Sequence, residues 1–84
     1  MPSAEFTEAT LKVKDLTKLP SNDNLLKFYG LFKIVTVGPN KTERPGMFDP
    51  KGKAKWDKWT EYNDLSPEEA EKQYIALYKE LAAL

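Results

Sequence analysis

Apolar side chains recur along this chain at the three- and four-residue spacings of amphipathic helices. The pattern predicts four helices, over about residues 3–16, 22–37, 50–62 and 67–84. Each helix is preceded by a side chain that can accept hydrogen bonds from free backbone N–H groups, and these caps are Ser3, Ser21 or Asn22, Asp49 and Ser66. Because no segment alternates with the two-residue period of a strand, the sequence predicts an all-α bundle.

The apolar stripes of the four helices define the expected core. They contain Phe6, Ala9, Val13 and Leu16, then Leu25, Phe28, Leu31, Phe32 and Val35, then Ala54, Trp56, Trp59 and Tyr62, and finally Ala70, Tyr74, Leu77 and Leu81. We expect at least one tryptophan to fill the space where helices cross. The long connection before the third helix permits a non-adjacent or a parallel arrangement of the two helices that it joins. Met47 and Phe48 within it predict a loop held to the core by apolar side chains.

Composition narrows the chemistry that the chain can perform. Its 84 residues include 13 basic and 13 acidic side chains, but neither histidine nor cysteine. The commonest metal ligands and general bases are therefore missing, and we expect no metal site and no catalytic residue. Zero formal net charge argues against nucleic acid as a partner, although six cations outnumber three anions between residues 41 and 58. Any anion must be bound locally.

No apolar run is long enough for stable membrane anchoring, and no signal peptide is visible at the N-terminus. A cytoplasmic location is therefore expected.

On the second helix, Tyr29, Phe32 and Lys33 share one flank, where a ring, a hydroxyl and an ammonium group could bind a ligand. The same residues also fit a core edge with a solvated lysine. On the first helix, Phe6 fits the core and Lys14 fits a solvated face.

Four sequence blocks carry a resemblance to a known family. They are YGLFK at residues 29–33, TVG at 36–38, TERPGM at 42–47 and KAKWD at 53–57. Their composition and spacing resemble the signature of the acyl-CoA-binding proteins, and the similarity extends over nearly the whole chain. The resemblance implies a skewed four-helix bundle of up-down-down-up topology, with residues 1–84 as a single acyl-CoA-binding domain. It further implies a monomer that binds long-chain acyl-CoA without a cofactor, for transport and buffering in fatty acid metabolism.

The resemblance also implies roles for individual residues. The 3′-phosphate of CoA is expected against Tyr29, Lys33 and Lys55, and the adenine is expected to stack on Phe32. Lys14 is expected to contact the CoA moiety. The resemblance places Tyr74 along the site, and the positions near the pantetheine and the acyl chain are Phe6, Ala9, Thr10 and Leu26.

The chain departs from the family pattern in three places. Phe32 stands where tyrosine is usual, and the two residues after Lys33 are Ile-Val where Gln-Ala is usual. Thr10 stands where a small alanine is common. Ring stacking survives the first change, so the departures bear on affinity and chain-length preference more than on ligand class.

Two other functions fit parts of the sequence. One is a regulatory domain of an enzyme that acts on CoA esters, although no carboxylate pair is placed as acid and base and we expect no catalytic activity. The other is a helical protein-interaction module that uses the basic patch of the third helix. Transient contact with enzymes that use acyl-CoA would be compatible with ligand carriage.

Overall fold

A computed structural model describes residues 3–16 and 20–83. Its elements are α1 (Ala4–Lys12), α2 (Asn22–Thr36), α3 (Pro50–Glu61) and α4 (Pro67–Ala82), with a 3-10 turn over Val13–Asp15 at the end of α1. The described part of the chain contains no β-strand. The predicted all-α class and the number of helices are confirmed, whereas the up-down-down-up order of helix directions stays a prediction.

Capping side chains begin all four helices as the sequence predicts. Each accepts a hydrogen bond from the backbone N–H three residues ahead, over 3.0 to 3.2 Å. The caps are Ser3, Ser21, Asp49 and Ser66. α1 ends sooner than its periodicity predicts, because its last turn tightens into the 3-10 form over Val13–Asp15.

The core forms where α2 packs against both α3 and α4 while α1 packs against α4. Its buried residues are Phe6, Ala9, Phe28, Leu31, Ile34, Trp59, Ala70 and Tyr74. All of them except Ile34 belong to the predicted stripes. Ile34 is 1% exposed because α2 has helices on two sides and buries a wider arc than one stripe. Leu25 and Phe32, predicted as core, are 46% and 38% exposed, so this prediction was wrong for both.

Gly30 lies at the contact between α2 and α3 and is buried. A Cβ at this position would lie 2.7 Å from Cδ2 of Tyr62 and 3.0 Å from the carbonyl oxygen of Lys58. Such distances are shorter than ordinary van der Waals contact. The absence of a side chain at Gly30 therefore allows the two helices that carry the predicted phosphate-binding residues to approach closely.

The connection between α2 and α3 is held by polar contacts. Met47 and Phe48 are 75% and 95% exposed, so the predicted apolar attachment of this loop was wrong. Instead, the guanidinium of Arg44 donates two hydrogen bonds to the carboxylate of Asp57, over 2.9 and 2.8 Å. The loop is thereby tied to the solvent-facing side of α3.

Asparagine and tryptophan side chains attach the first part of the same loop. The backbone N–H of Asn40 donates to Oδ1 of Asn63 over 2.8 Å, and the Asn40 side chain donates to Oγ1 of Thr60 over 3.0 Å. Nε1 of Trp59 donates to the carbonyl oxygen of Gly38 over 2.8 Å. These half-buried bonds fix the start of the loop against the C-terminal half of α3.

Candidate functional site

A groove with a volume of about 560 Å³ opens between α2 and the first half of α3. It is lined by Asn22, Leu25, Leu26 and Tyr29 from α2 and by Pro50, Lys51, Ala54 and Lys55 from α3. The lining positions follow spacings of three and four residues, so they form one face of each helix. Leucine, proline and alanine make most of this face apolar, and Lys51 and Lys55 add positive charge from α3.

Two lysines and two aromatic rings cross between α2 and α3 at one end of the groove. Tyr29 and Lys33 are four residues apart on α2, and Lys55 and Trp59 are four residues apart on α3. Nζ of Lys55 lies 5.4 Å from the centre of the Tyr29 ring, and Nζ of Lys33 lies 4.8 Å from the centre of the Trp59 ring. Each lysine therefore lies over an aromatic ring of the other helix.

This arrangement, the crossed lysine–ring pairs, brings the three predicted phosphate-binding residues onto the facing sides of α2 and α3. Neither Lys33 nor Lys55 forms an ion pair with a carboxylate of residues 3–16 or 20–83. An ammonium over a ring keeps N–H donors for a further acceptor. The two lysines are thus available to an anionic ligand.

Phe32 belongs to an aromatic cluster on α1, α2 and α4. Its ring stacks on Phe6 with a centroid distance of 6.2 Å, and Phe6 meets Tyr74 edge-on at 5.0 Å. Phe6 and Tyr74 are buried, whereas Phe32 keeps an exposed part that a planar ligand could contact. Burial raises the pKa of the Tyr74 hydroxyl, because desolvation disfavours its charged form.

The other predicted ligand-binding residues lie in different surroundings. Leu26 lines the groove, as its predicted contact with an acyl chain requires. Ala9 is buried against α4 and borders a separate, smaller cleft of about 160 Å³. The Thr10 hydroxyl donates to the carbonyl oxygen of Thr7 over 2.7 Å, and Lys14 is exposed in the 3-10 turn. Ala9, Thr10 and Lys14 do not line the groove.

The sequence pattern did not predict several of the residues that line the groove. Leu25 was placed in the core, and the lining roles of Pro50, Lys51 and Ala54 were not predicted. The available signal was the i, i+4 spacing of Pro50 with Ala54 and of Lys51 with Lys55, which puts small and cationic residues on one face of α3. Without knowing which helix faces α3, that spacing does not identify a groove.

Among the residues that the structure describes, no helix has the length and apolar character needed to span a bilayer. The same residues contain no cluster of three or more acidic, histidine or cysteine side chains able to hold a metal ion.

Comparison with known proteins gives a consistent family. A family model described as "Acyl CoA binding protein" matches residues 3–78. Acyl-CoA-binding protein homolog 1 of Caenorhabditis elegans is 55% identical over 93% of this chain and 91% of its own length. The Drosophila melanogaster acyl-CoA-binding protein homolog is 47% identical over 99% and 96% of the two chains.

The fold comparison agrees with the sequence comparison. The crystal structure of Oryza sativa Acyl-CoA-Binding Protein 2 matches with a TM-score of 0.89 at 44% identity, over 94% of this chain and 88% of that one. The crystal structure of ACBP from Moniliophthora perniciosa matches with a TM-score of 0.88 at 39% identity, over 96% and 80%. The chain belongs to the acyl-CoA-binding protein family.

Proposed function

We propose that this protein binds long-chain acyl-CoA esters non-covalently and transports and buffers them. In this proposal the 3′-phosphate of CoA is bound by Tyr29, Lys33 and Lys55, and the adenine stacks on Phe32. The observation that carries the proposal is the position of the crossed lysine–ring pairs at one end of an apolar groove. An acyl-CoA ester carries the matching features, which are a polyanionic head with a flat base and a long apolar tail.

The apolar lining suits the tail. Burial of one CH₂ group is worth about 0.8 kcal/mol, so about 15 such groups give a gross gain of about 12 kcal/mol. A nanomolar dissociation constant corresponds to about −12.3 kcal/mol, before the costs of ordering the ligand and the side chains. Covering the tail in the groove beside Leu25, Leu26 and Ala54 could therefore supply much of the affinity.

Selectivity must come from the head, because a tail alone would not distinguish acyl-CoA from a free fatty acid. Lysine ammonium groups and the Tyr29 hydroxyl can donate charge-assisted hydrogen bonds to a phosphate. The exposed part of Phe32, whose ring stacks on Phe6, offers a surface for the adenine. Phe6 and Tyr74 would then act chiefly by supporting this surface, since both are buried.

The remaining assignments are also proposals. Leu26, Ala9 and Thr10 are assigned to positions near the pantetheine and the acyl chain, and Lys14 is assigned to a contact with the CoA moiety. We propose a monomer that acts in the cytoplasm, without stable membrane anchoring and without catalysis, and that meets acyl-CoA-using enzymes transiently. The family to which the chain belongs consists of binding proteins, which supports a carrier role.

Titration calorimetry tests the ligand class. Palmitoyl-CoA should bind tightly, whereas free CoA and palmitate, each of which has only half of the recognised features, should bind much more weakly. Acyl-CoAs of several chain lengths would report how much of the groove the tail fills. Equal affinity for palmitate and palmitoyl-CoA would contradict the proposed role of the head.

A pair of alanine variants tests the site. Lys55→Ala removes a charged hydrogen-bond donor worth about 1.5–3 kcal/mol, so palmitoyl-CoA affinity should fall by roughly ten- to a hundredfold. Lys53→Ala is the matched control, because Lys53 is on the same helix but does not line the groove. Equal losses in the two variants would indicate a general charge effect and would remove the assignment of Lys55.

A further inference from the structure

Trp59 packs in the core and holds the start of the loop, and its ring also contacts a lysine of the proposed phosphate site. We propose that Trp59 is a positioning residue, which holds the Lys33 ammonium where it meets the 3′-phosphate of the ligand. The inference rests on the proposed function, since it assumes that Lys33 binds this phosphate.

The contact between the two side chains is close and one partner is rigid. Nζ of Lys33 lies 4.8 Å from the centre of the Trp59 ring, and Trp59 is 7% exposed within the core. Lys33 itself is half-buried and makes no ion pair with a described carboxylate. The ammonium is therefore attracted to a fixed aromatic surface and is not neutralised by an acidic neighbour.

The orientation of the ring is set by a glycine at the end of α2. Nε1 of Trp59 donates to the carbonyl oxygen of Gly38 over 2.8 Å. Gly38 has a φ of +105°, which side-chain-bearing residues rarely adopt, and its own N–H donates to the carbonyl oxygen of Lys33 over 2.9 Å. Lys33 and Trp59 are thus connected in two ways. Their side chains meet directly through the ammonium and the ring, and two hydrogen bonds link them through the backbone of Gly38.

Holding the Lys33 ammonium over the Trp59 ring lowers the entropic cost of binding a phosphate. A lysine free in solvent loses its rotamer freedom when it binds a ligand, whereas a lysine held over a ring has lost part of that freedom beforehand. Its N–H donors that do not face the ring remain available to phosphate oxygens. Lys55 lies farther from its ring, at 5.4 Å from Tyr29, and is exposed, so the same effect should be weaker there.

The test measures phosphate discrimination, which is the dissociation constant of 3′-dephospho-palmitoyl-CoA divided by that of palmitoyl-CoA. Trp59→Phe keeps an aromatic ring in the core but removes the N–H donor to Gly38. Discrimination should fall by about three- to tenfold, the size expected when a lysine side chain regains rotamer freedom. In a Lys33→Met background, Trp59→Phe should change discrimination no further.

Trp56→Phe is the matched control. The Nε1 atom of Trp56 also bonds to the loop, through Thr42 over 3.1 Å, but the described part of the chain places no lysine over its ring. Its discrimination should match that of the wild type. If Trp59→Phe does not fold, Gly38→Ala replaces it, because the added Cβ meets no atom within 4 Å while the φ of +105° becomes unfavourable. The same fall is expected.

Four results would overturn the inference. Equal weakening of both ligands by folded Trp59→Phe, with discrimination unchanged, would show a purely structural role for Trp59. A further change in the Lys33→Met background would show that Trp59 does not act through Lys33. Wild-type discrimination near one would refute the proposed phosphate site as well, whereas clear wild-type discrimination with no effect of either variant would refute the positioning role alone.

Discussion

Replacing Gly30 by alanine tests how closely α2 and α3 must approach to build the site. The added Cβ would lie 2.7 Å from Cδ2 of Tyr62 and 3.0 Å from the carbonyl oxygen of Lys58. The tyrosine ring can turn aside, but the backbone oxygen of Lys58 moves only if α3 moves. The substitution therefore pushes apart the two helices that hold the crossed lysine–ring pairs.

Two opposing effects decide the change in stability. Alanine is favoured over glycine inside a helix by about 0.8–1.0 kcal/mol, whereas overpacking a close contact costs about 1–3 kcal/mol. Because one of the two short contacts of the added Cβ is to backbone, we expect the cost of overpacking to exceed the gain in helix propensity by about 1 kcal/mol. For a domain of this size, that loss lowers the melting temperature by roughly 4–8 °C.

Thermal unfolding followed by circular dichroism, together with calorimetry for palmitoyl-CoA, measures both consequences. Affinity should fall along with stability, because separating the helices lengthens the distances from Lys33 and Lys55 to their rings. Gly46→Ala is the control, since its added Cβ meets no atom within 4 Å, and its melting temperature should stay equal or rise slightly. A higher melting temperature and unchanged affinity for Gly30→Ala would refute the close-packing argument.

Three further substitutions test individual interactions. Ser66→Ala removes the N-cap of α4 and should cost about 1 kcal/mol of unfolding free energy in urea denaturation, with no change in ligand class. The hydrogen-bonded guanidinium of Arg44 holds the pKa of Asp57 below its ordinary value. The stability from this pair is therefore present above about pH 4 and is lost as the pH falls through the lowered pKa. The melting temperatures of wild type and Asp57→Asn should differ slightly at pH 7 and converge in acid. Burial raises the pKa of Tyr74. The fold stability that depends on the neutral hydroxyl is therefore fully present below about pH 10 and is lost as the pH rises through the raised pKa. Between pH 9 and 12, Tyr74→Phe should lose less stability than wild type.

Local signals predicted the helices well, because a cap and the residues that it satisfies are neighbours in sequence. Ser66 caps α4 through the N–H of Glu69 and Ser3 caps α1 through that of Phe6, so each cap can be recognised within four residues of sequence. The loop was harder to predict. Met47 and Phe48 are apolar, but their burial depends on the path of the chain, and polar bonds such as that of Arg44 with Asp57 keep the loop on the surface.

The candidate site could also be predicted only in part, because some of its residues are neighbours on one helix and others meet only when two helices pack. Tyr29 and Lys33 were recognisable together because they are one helical turn apart, but selecting Lys55 among the lysines of α3 required the resemblance to a family. The contact of Lys33 with Trp59 joins two helices, so no spacing within either helix predicts it. Leu25 was misplaced for a similar reason, since only the position of α3 turns that edge of α2 into a groove wall.

The proposed binding site for acyl-CoA is the groove between α2 and α3, with the head of the ligand at the crossed lysine–ring pairs. Titration of ¹⁵N-labelled protein with palmitoyl-CoA, followed by amide chemical shifts, locates the ligand directly. Binding at this site predicts the largest changes along the groove and at the crossed lysine–ring pairs, including Leu26, Lys33 and Lys55. Changes confined to the cleft between α1 and α4, around Lys12 and Tyr78, would contradict it.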